Sequence, residues 1–275
     1  MNSHSLQPAS DYTIPQLADL LTRGFEGYYI PIDVTESVLL SMLRRDGVSL
    51  EDSRVILSKG EPVGAALVAR RGWTSRIDAM GLVTGARNRG IGTWAMKRLI
   101  EEARERGDRE MILEVIEQNR AGVRLYEKVH FQVVRRLVGF KIERPRVHVE
   151  AELEEVDIRE LAQLVTSFGL KDLPWQVSGE TLAHHTPPAR AYRLGDAFCL
   201  TGNLNPADVV IWSVLVLPQA RGQLRGARLV QALFANNPGK IWHVPALCPE
   251  ELGFVFEKAG MQRERLSQLQ MRLSL

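Results

Sequence analysis

The chain has 275 residues, 45% of them hydrophobic and 25% charged, with a formal net charge of +2. The length exceeds that of a usual single domain, so we expect two domains, each with an ordinary hydrophobic core. Neither half carries a one-sided basic excess, no apolar run reaches about 18 residues, and a signal-peptide pattern is missing. We therefore expect a cytoplasmic protein with neither nucleic-acid nor membrane partners.

The first half begins with helical patterns. Thr13 and Gln16 form a capping-box pair ahead of apolar residues at helical spacing. A turn-rich stretch from Gly24 to Pro31 then leads to a second helical stripe that includes Leu39. Three short strand-like runs follow, at Arg54–Ser58, Val63–Ala69 and Arg76–Val83.

The order then becomes helix, strand, helix and strand. Helical periodicity starts at Ile91 and stops at Gly107, and the nearly continuous apolar run Met111–Ile116 is typical of a strand covered on both faces. One more helical stripe precedes the strand-like run Phe131–Phe140. A mixed α/β fold is predicted.

Arg144-Pro145-Arg146 is the best candidate for a linker, and a similar order of elements starts again after it. Asp157 can cap a helix, and strand-like runs occur at Val209–Leu217 and Ile241–Leu247, among others. We therefore predict two domains, 1–143 and 147–275, related by a diverged internal duplication. Cys199 and Cys248 lie in apolar runs without metal or redox spacing, so they are expected to be buried thiols, and no metal site is expected.

The stretch from Leu82 to Thr93 joins a predicted strand to a predicted helix and contains Gly85, Gly90 and Gly92. Glycines at such a turn let backbone N–H groups approach an anion, and the start of the helix adds favourable partial charge. The stretch matches neither the dinucleotide fingerprint nor the P-loop. Its spacing predicts a site for a diphosphate-bearing ligand.

This loop resembles the acetyl-CoA motif of the GNAT family of N-acetyltransferases: an Arg or Gln, two residues, Gly, one residue, then Gly or Ala. Downstream, Asn119, the pair Leu125-Tyr126 and Phe131 resemble the second half of the family signature. The resemblance covers about residues 5–142. It implies two GNAT-like domains in tandem, each a mostly antiparallel sheet with a central parallel pair flanked by helices. It also implies acetyl-CoA as the acyl donor.

The resemblance implies a role for each matching position. The backbone of Leu82, Val83 and Thr84 would pair with the pantetheine arm, and the Leu82 N–H would stabilise the tetrahedral oxyanion. Asn119 would orient the pantetheine arm, and Tyr126 would protonate the departing thiolate. The main-chain N–H groups that would hold the pyrophosphate are those of Arg87, Asn88, Arg89, Gly90, Ile91, Gly92 and Thr93.

Two positions depart from the family pattern. Gly122 stands where the family usually has Ala, and His130 stands where it usually has Gly. We interpret His130 as a packed or capping residue rather than a catalytic group.

The acceptor amine must lose a proton to attack the acetyl group. Asp78 and Glu26 are candidates for the base, although each carboxylate is more readily explained as a solvated or paired charge, and a water chain could replace a dedicated base. In the family, the turn after the first helix shapes the acceptor pocket. Phe25, Tyr28 and Tyr29 would then form an apolar acceptor wall, unless they serve only core packing.

The second half carries the same scheme with losses. Leu224 replaces the first required glycine of the loop, and Phe256 replaces the tyrosine, so this domain is expected to be degenerate and non-catalytic. The whole chain, a monomer or homodimer, is expected to move an acetyl group to a primary amine of a small molecule or peptide through a tetrahedral intermediate. The alternative is a non-catalytic acyl-CoA-binding sensor or regulatory module.

Overall fold

The computed structural model describes residues 4–147, 149 and 151–275. The chain forms two compact units. Unit 1 runs to Val134 and also includes Leu269–Leu275, and unit 2 is Arg135–Gln268. None of the helices in the described ranges is long and apolar enough to span a bilayer.

Unit 1 contains a sheet and helices, and local sequence signals account for where its first helix, α1, begins. The capping box at α1 is confirmed, because Thr13 N donates to Gln16 Oε1 at 2.8 Å while Gln16 N donates to Thr13 Oγ1 at 3.4 Å. Its helices and strands are β1 (His4–Pro8), α1 (Ile14–Gly24), α2 (Glu36–Ser41), β2 (Val48–Ser58), β3 (Glu61–Arg71), β4 (Thr74–Leu82), α3 (Ile91–Glu105), β5 (Glu110–Ile116) and α4 (Arg120–Lys128).

The sheet of unit 1 has the order β1-β2-β3-β4-β5. The β1–β2, β2–β3 and β3–β4 pairs are antiparallel and the β4–β5 pair is parallel. The apolar face of α3 packs on this sheet around Met96 and Leu99, which are fully buried together with Met111 and Leu113 of β5. The core therefore lies directly behind the parallel pair.

Unit 2 repeats this order of elements. They are β6 (Gln132–Glu143), which starts at the end of unit 1, β7 (Glu154–Val156), α5 (Ile158–Phe168), α6 (Gly179–Leu182), β8 (Arg190–Leu194), β9 (Ala197–Thr201), β10 (Asp208–Val216), α7 (Arg225–Asn236), β11 (Ile241–Pro249), α8 (Phe254–Lys258) and β12 (Gln262–Ser274). The strand order is β6-β11-β10-β9-β8-β7, with β10 and β11 parallel and the other pairs antiparallel. The predicted tandem arrangement, with one parallel pair in each mostly antiparallel sheet, is confirmed. Cys199 and Cys248 are buried free thiols, as expected.

The last strands depart from the expected division at residues 143 and 147. From Arg135 onward β6 belongs to unit 2, where it pairs with β11. The strand beside β5 is instead β12, whose final residues from Leu269 belong to unit 1. Met271 and Leu273 of this segment pack in the same core cluster as Met96 and Leu99. The end of the chain therefore completes the core of the first unit.

Candidate active site

A gap opens in the sheet of unit 1 where its parallel strands part. Pairing between β4 and β5 runs from Thr74 opposite Glu110 to Ile77 opposite Leu113 and ends before either strand does. The next residue of β4, Asp78, is the extra residue of a β-bulge, because Ile77 pairs with Val68 while Ala79 pairs with Leu67. A bulge bends its strand and increases the local twist, and so accounts for the parting of β4 from β5.

The backbone of β4 directs hydrogen-bonding groups towards this gap. Leu82 lies opposite Gly64, and the adjacent bond runs from Val83 N to Val63 O at 2.9 Å. Leu82 and Gly64 are therefore a non-hydrogen-bonded pair, and the N–H and C=O of Leu82 point away from β3 towards β5. By the same alternation, Met80 opposite Ala66 faces the gap too. An extended ligand could pair with this edge like an added strand.

The loop after β4 has the backbone shape that the glycine pattern predicts. A short 3-10 turn spans Thr84–Ala86, Asn88 has φ +60° and Gly90 has φ +79°. Gly90 caps α3 in the left-handed conformation, so the N–H groups of the first turn of α3 emerge at the end of the gap. Arg89 is exposed beside them. This geometry suits an anion.

Arg87 holds the loop in place instead of presenting its N–H groups to a phosphate. Its Nε donates to the carbonyl oxygen of Leu82 at 2.8 Å, and its Nη2 donates to the carbonyl oxygens of Gly24 at 3.0 Å and Glu26 at 2.8 Å. The side chain thereby ties the end of β4 to the end of α1. The Nε and Nη2 donors of Arg87 are therefore engaged by backbone carbonyls, while the charge of the side chain lies close to the loop.

Tyr126 on α4 and Tyr28 in the turn after α1 lie close together. Tyr126 is half-buried and packs edge-on against Phe131, with 5.9 Å between the ring centroids. Burial raises the pKa of the Tyr126 phenol far above its ordinary value of 10.0, and the nearby Tyr28 hydroxyl raises it further. Burial also raises the pKa of Tyr28, while a hydrogen bond from the Asn119 side chain opposes that rise. Both phenols are therefore neutral proton donors near neutral pH.

Asn119 has a structural role that explains the nearby glycine. Its Oδ1 accepts a hydrogen bond from Gly122 N at 3.0 Å and so caps α4. A Cβ on Gly122 would lie 2.7 Å from Asn119 Nδ2, so the alanine that is usual in the family would require the Asn119 side chain to shift. His130 is exposed and has φ +72°, the left-handed conformation typical after a helix end. A glycine suits that position in relatives for the same reason.

The candidate bases do not stand free over the gap. The side chain of Asp78 is buried in an ion pair with Arg76, and Arg76 Nε also contacts Glu114 Oε2 at 2.8 Å. All three side chains are no more than 3% exposed. Glu26 is exposed, with Oε2 3.5 Å from Thr84 Oγ1 at the loop. Because its carboxylate is already engaged by a guanidinium, Asp78 is better explained as a structural charge than as the base.

The aromatic residues of the turn after α1 form a connected group. The Phe25 and Tyr28 rings are 5.4 Å apart and the Tyr28 and Tyr29 rings 5.7 Å apart, each pair edge to face. Tyr29 is 54% exposed, so core packing does not account for the whole group. This group, Phe25, Tyr28 and Tyr29, is called the aromatic turn below.

The bulge at Asp78, the buried pairing of Arg76 and the bond between Tyr28 and Asn119 could not be predicted from the sequence. The first two depend on strand register, and the third joins residues far apart in the chain. The alternation of Arg76, Asp78 and Glu114 with apolar residues was the only available signal, since charges within buried strands are usually paired.

A two-unit α/β protein whose parallel strands part beside a glycine-capped helix start has the architecture of the GNAT fold. Residues 14–131 match the model of the acetyltransferase (GNAT) family. No curated protein matches the sequence closely enough to count as a relative.

Several solved structures share the fold along the whole chain. A GCN5-related N-acetyltransferase from Sphaerobacter thermophilus has a TM-score of 0.70 at 15% identity, covering 100% of this chain and 96% of that one. A tandem GNAT protein from the clavulanic acid biosynthesis pathway has a TM-score of 0.65 at 17% identity, covering 98% of both chains. A GCN5-related N-acetyltransferase from Kribbella flavida has a TM-score of 0.61 at 17% identity, covering 99% of this chain and 71% of that one. These likenesses show the fold.

Proposed function

We propose that unit 1 transfers an acetyl group from acetyl-CoA to a primary amine. The observation that carries the proposal is the continuity of the open edge of β4 with the loop at Gly90. A single ligand with an extended, amide-containing arm and a diphosphate at its end would satisfy both features. CoA is such a ligand.

The donor would lie with its pantetheine arm along Leu82, Val83 and Thr84 and its pyrophosphate over the amides from Arg87 to Thr93. The free N–H of Leu82 supports a further role, because it points into the gap where the thioester carbonyl would sit. An N–H fixed in a strand needs no reorganisation to stabilise the oxyanion of a tetrahedral intermediate. Asn119 caps the start of α4, and it would orient the pantetheine arm from that position.

The reaction would proceed by direct attack of the neutral amine on the thioester carbonyl. A C–N bond forms as an oxyanion develops at the Leu82 N–H, and the C–S bond breaks when this intermediate collapses. Tyr126 would give its proton to the departing thiolate. Its raised pKa keeps the phenol protonated. Because the ordinary pKa of a thiol is about 8.5, this proton transfer is uphill, and it would be completed when the tyrosinate regains a proton from solvent.

The proton on the incoming amine would leave through solvent at the mouth of the gap. Asp78 is not proposed as the base, because its buried carboxylate is already paired with Arg76. Glu26 is exposed near the loop and remains able to receive a proton through water. The aromatic turn would form the acceptor wall and favour an amine that carries a flat or apolar group.

We further propose that unit 2 does not catalyse this reaction. Phe256 takes the place of Tyr126, because Met261 N bonds to Phe256 O at 3.0 Å just as Phe131 N bonds to Tyr126 O at 3.0 Å. A phenylalanine has no proton to give to a thiolate.

The test is the release of free thiol from acetyl-CoA on incubation with a panel of primary amines, including amino acids, polyamines, aminoglycosides and short peptides. We expect amine-dependent thiol release, with a matching mass increase of the acceptor. Binding of acetyl-CoA without thiol release for any amine would favour the sensor alternative. The Tyr126→Phe variant controls for contaminating activity.

A further inference from the structure

Unit 2 contains a cavity that the proposed reaction does not use. Its volume is about 590 Å³, and it lies where β10 and β11 part, between the end of α5 and α8. Pairing of the two strands ends at Val210 opposite His243, and Trp212 is the bulge residue at the position that Asp78 has in unit 1. The volume falls within the range of roughly 300–1,000 Å³ typical of small-molecule pockets.

The cavity owes part of its width to three valines. A Cβ on Gly92 of unit 1 would lie 2.9 Å from Leu125, 3.6 Å from Leu82 and 3.9 Å from Met80. The corresponding Gly226 of unit 2 would meet Val255 at 3.1 Å, Val216 at 3.2 Å and Val214 at 3.5 Å. Each valine has one side-chain atom fewer than the leucine or methionine in its place, and all three line the cavity. Unit 2 has therefore kept the cleft, with smaller apolar side chains at these three positions.

The interior lacks the polar groups of unit 1. Phe256 stands at the position of Tyr126 and Trp212 at the position of Asp78, and both line the cavity. The Cys248 thiol, also in the lining, has its pKa raised to about 12 by burial, so it is a neutral apolar group. This lining suits an alkyl chain better than a polar arm.

The rim of the cavity is apolar and exposed. Phe168, Leu170, Leu224 and Phe254 line it and are 40%, 37%, 57% and 52% exposed. Leu224 holds the left-handed backbone of the loop at φ +55°, a conformation that costs a leucine about 1 kcal/mol relative to glycine. Large exposed apolar side chains clustered around one opening are typical of ligand or partner sites.

The charged groups in the described lining are all cationic. They are Lys171, Arg221 and Arg225. Arg221 repeats the bracing role of Arg87, with bonds to the carbonyl oxygens of Val216 and Phe168. Lys171 and Arg225 are exposed at the mouth, which gives the opening a positive potential.

From these observations we infer that unit 2 binds an amphiphile, with an alkyl chain in the cavity and an anionic head at Lys171 and Arg225. Free fatty acids and long-chain acyl-CoA thioesters share this chemistry. The site binds without reaction, and it does not depend on the activity proposed for unit 1.

The test is calorimetric titration of the full-length protein with decanoate, decanoyl-CoA and acetyl-CoA in separate experiments, supported by the change in tryptophan fluorescence. We expect saturable binding of decanoate, of decanoyl-CoA or of both, at a site in unit 2. Val214→Phe should fill the cavity and weaken that binding about tenfold or more. The same substitution at exposed Val38 of α2 is the matched control and should leave binding unchanged.

The proposed site for the anionic head is tested by a double variant, Lys171→Glu with Arg225→Glu. Both side chains are exposed, so the double variant should keep the melting temperature of the unaltered protein. This double variant should also weaken binding about tenfold. Binding of decanoate distinguishes a fatty-acid site from one that needs the CoA moiety. Absence of binding by either ligand at about 1 mM would overturn the inference. So would decanoyl-CoA binding that survives Val214→Phe but is lost in Gly90→Leu, since that binding belongs to unit 1.

Discussion

Arg87 Nε donates a hydrogen bond to the carbonyl oxygen of Leu82 across 2.8 Å, and the same guanidinium bonds the carbonyl oxygens of Gly24 and Glu26. One side chain thus fixes the end of β4, whose amides face the gap, and the loop that begins the proposed phosphate site. Arg87 therefore holds the β4 edge and the loop, the two parts of the proposed donor site, in a fixed position relative to each other.

Arg87→Ala should therefore damage both stability and donor binding. Loss of these charge-assisted bonds should lower the free energy of unfolding by about 1–3 kcal/mol, measured by urea denaturation. Arg89→Ala is the informative comparison, because Arg89 is exposed: it should weaken CoA binding with little change in stability. Equal stability of the two variants would show that Arg87 does not brace the loop.

The shape of the glycine loop, the helix that carries Tyr126 and the repeated order of elements could be predicted from the sequence because each depends on residues close together in the chain. The partner of β5 could not, since β6 and β12 are both suitable strands and their pairing is set by distant contacts. The Arg76 pairing also depends on register, which a one-residue bulge at Asp78 shifts. The cavity of unit 2 owes part of its width to Val214, Val216 and Val255, and the sequence does not show that these three valines meet around Gly226.

Tyr126→Phe should reduce kcat roughly 100-fold while leaving the affinity for acetyl-CoA close to that of the unaltered protein. The raised pKa of the Tyr126 phenol means that its neutral form is retained as the pH rises past 10, the ordinary tyrosine value. Activity should therefore show no alkaline loss due to this group between pH 7 and about pH 10. A near-normal rate in the variant, measured by thiol release, would remove Tyr126 from the mechanism.

The aromatic turn should control the acceptor more than the donor. Tyr29→Ala removes an exposed ring and should raise the acceptor KM several-fold (about tenfold at most) without changing CoA affinity. Tyr28→Ala should change both, because the Tyr28 hydroxyl bonds Asn119 at the donor side. Tyr29→Phe keeps the ring and serves as the control. Unchanged acceptor KM in all three variants would limit this turn to packing.

Arg76→Met should be strongly destabilising, since it leaves Asp78 and Glu114 buried without their shared cation. The expected loss is about 3–5 kcal/mol, measured by urea denaturation. Arg23→Met is the matched control: its pair with Asp19 is 53% and 64% exposed, so the expected loss is under about 1 kcal/mol. If Asp78→Asn abolished turnover while stability stayed intact, Asp78 would return as a catalytic candidate.

Titration of acetyl-CoA into the full-length protein, followed by calorimetry, addresses the donor site most directly. We expect saturable binding that is lost in Gly90→Leu, because this side chain would project over the helix-start amides. The fold should survive that change, since Leu224 already adopts the same left-handed backbone in unit 2. Gly85→Ala is the control, because a Cβ there has no neighbour within 4 Å. No heat of binding with either CoA or acetyl-CoA would contradict the account, and so would full affinity in Gly90→Leu.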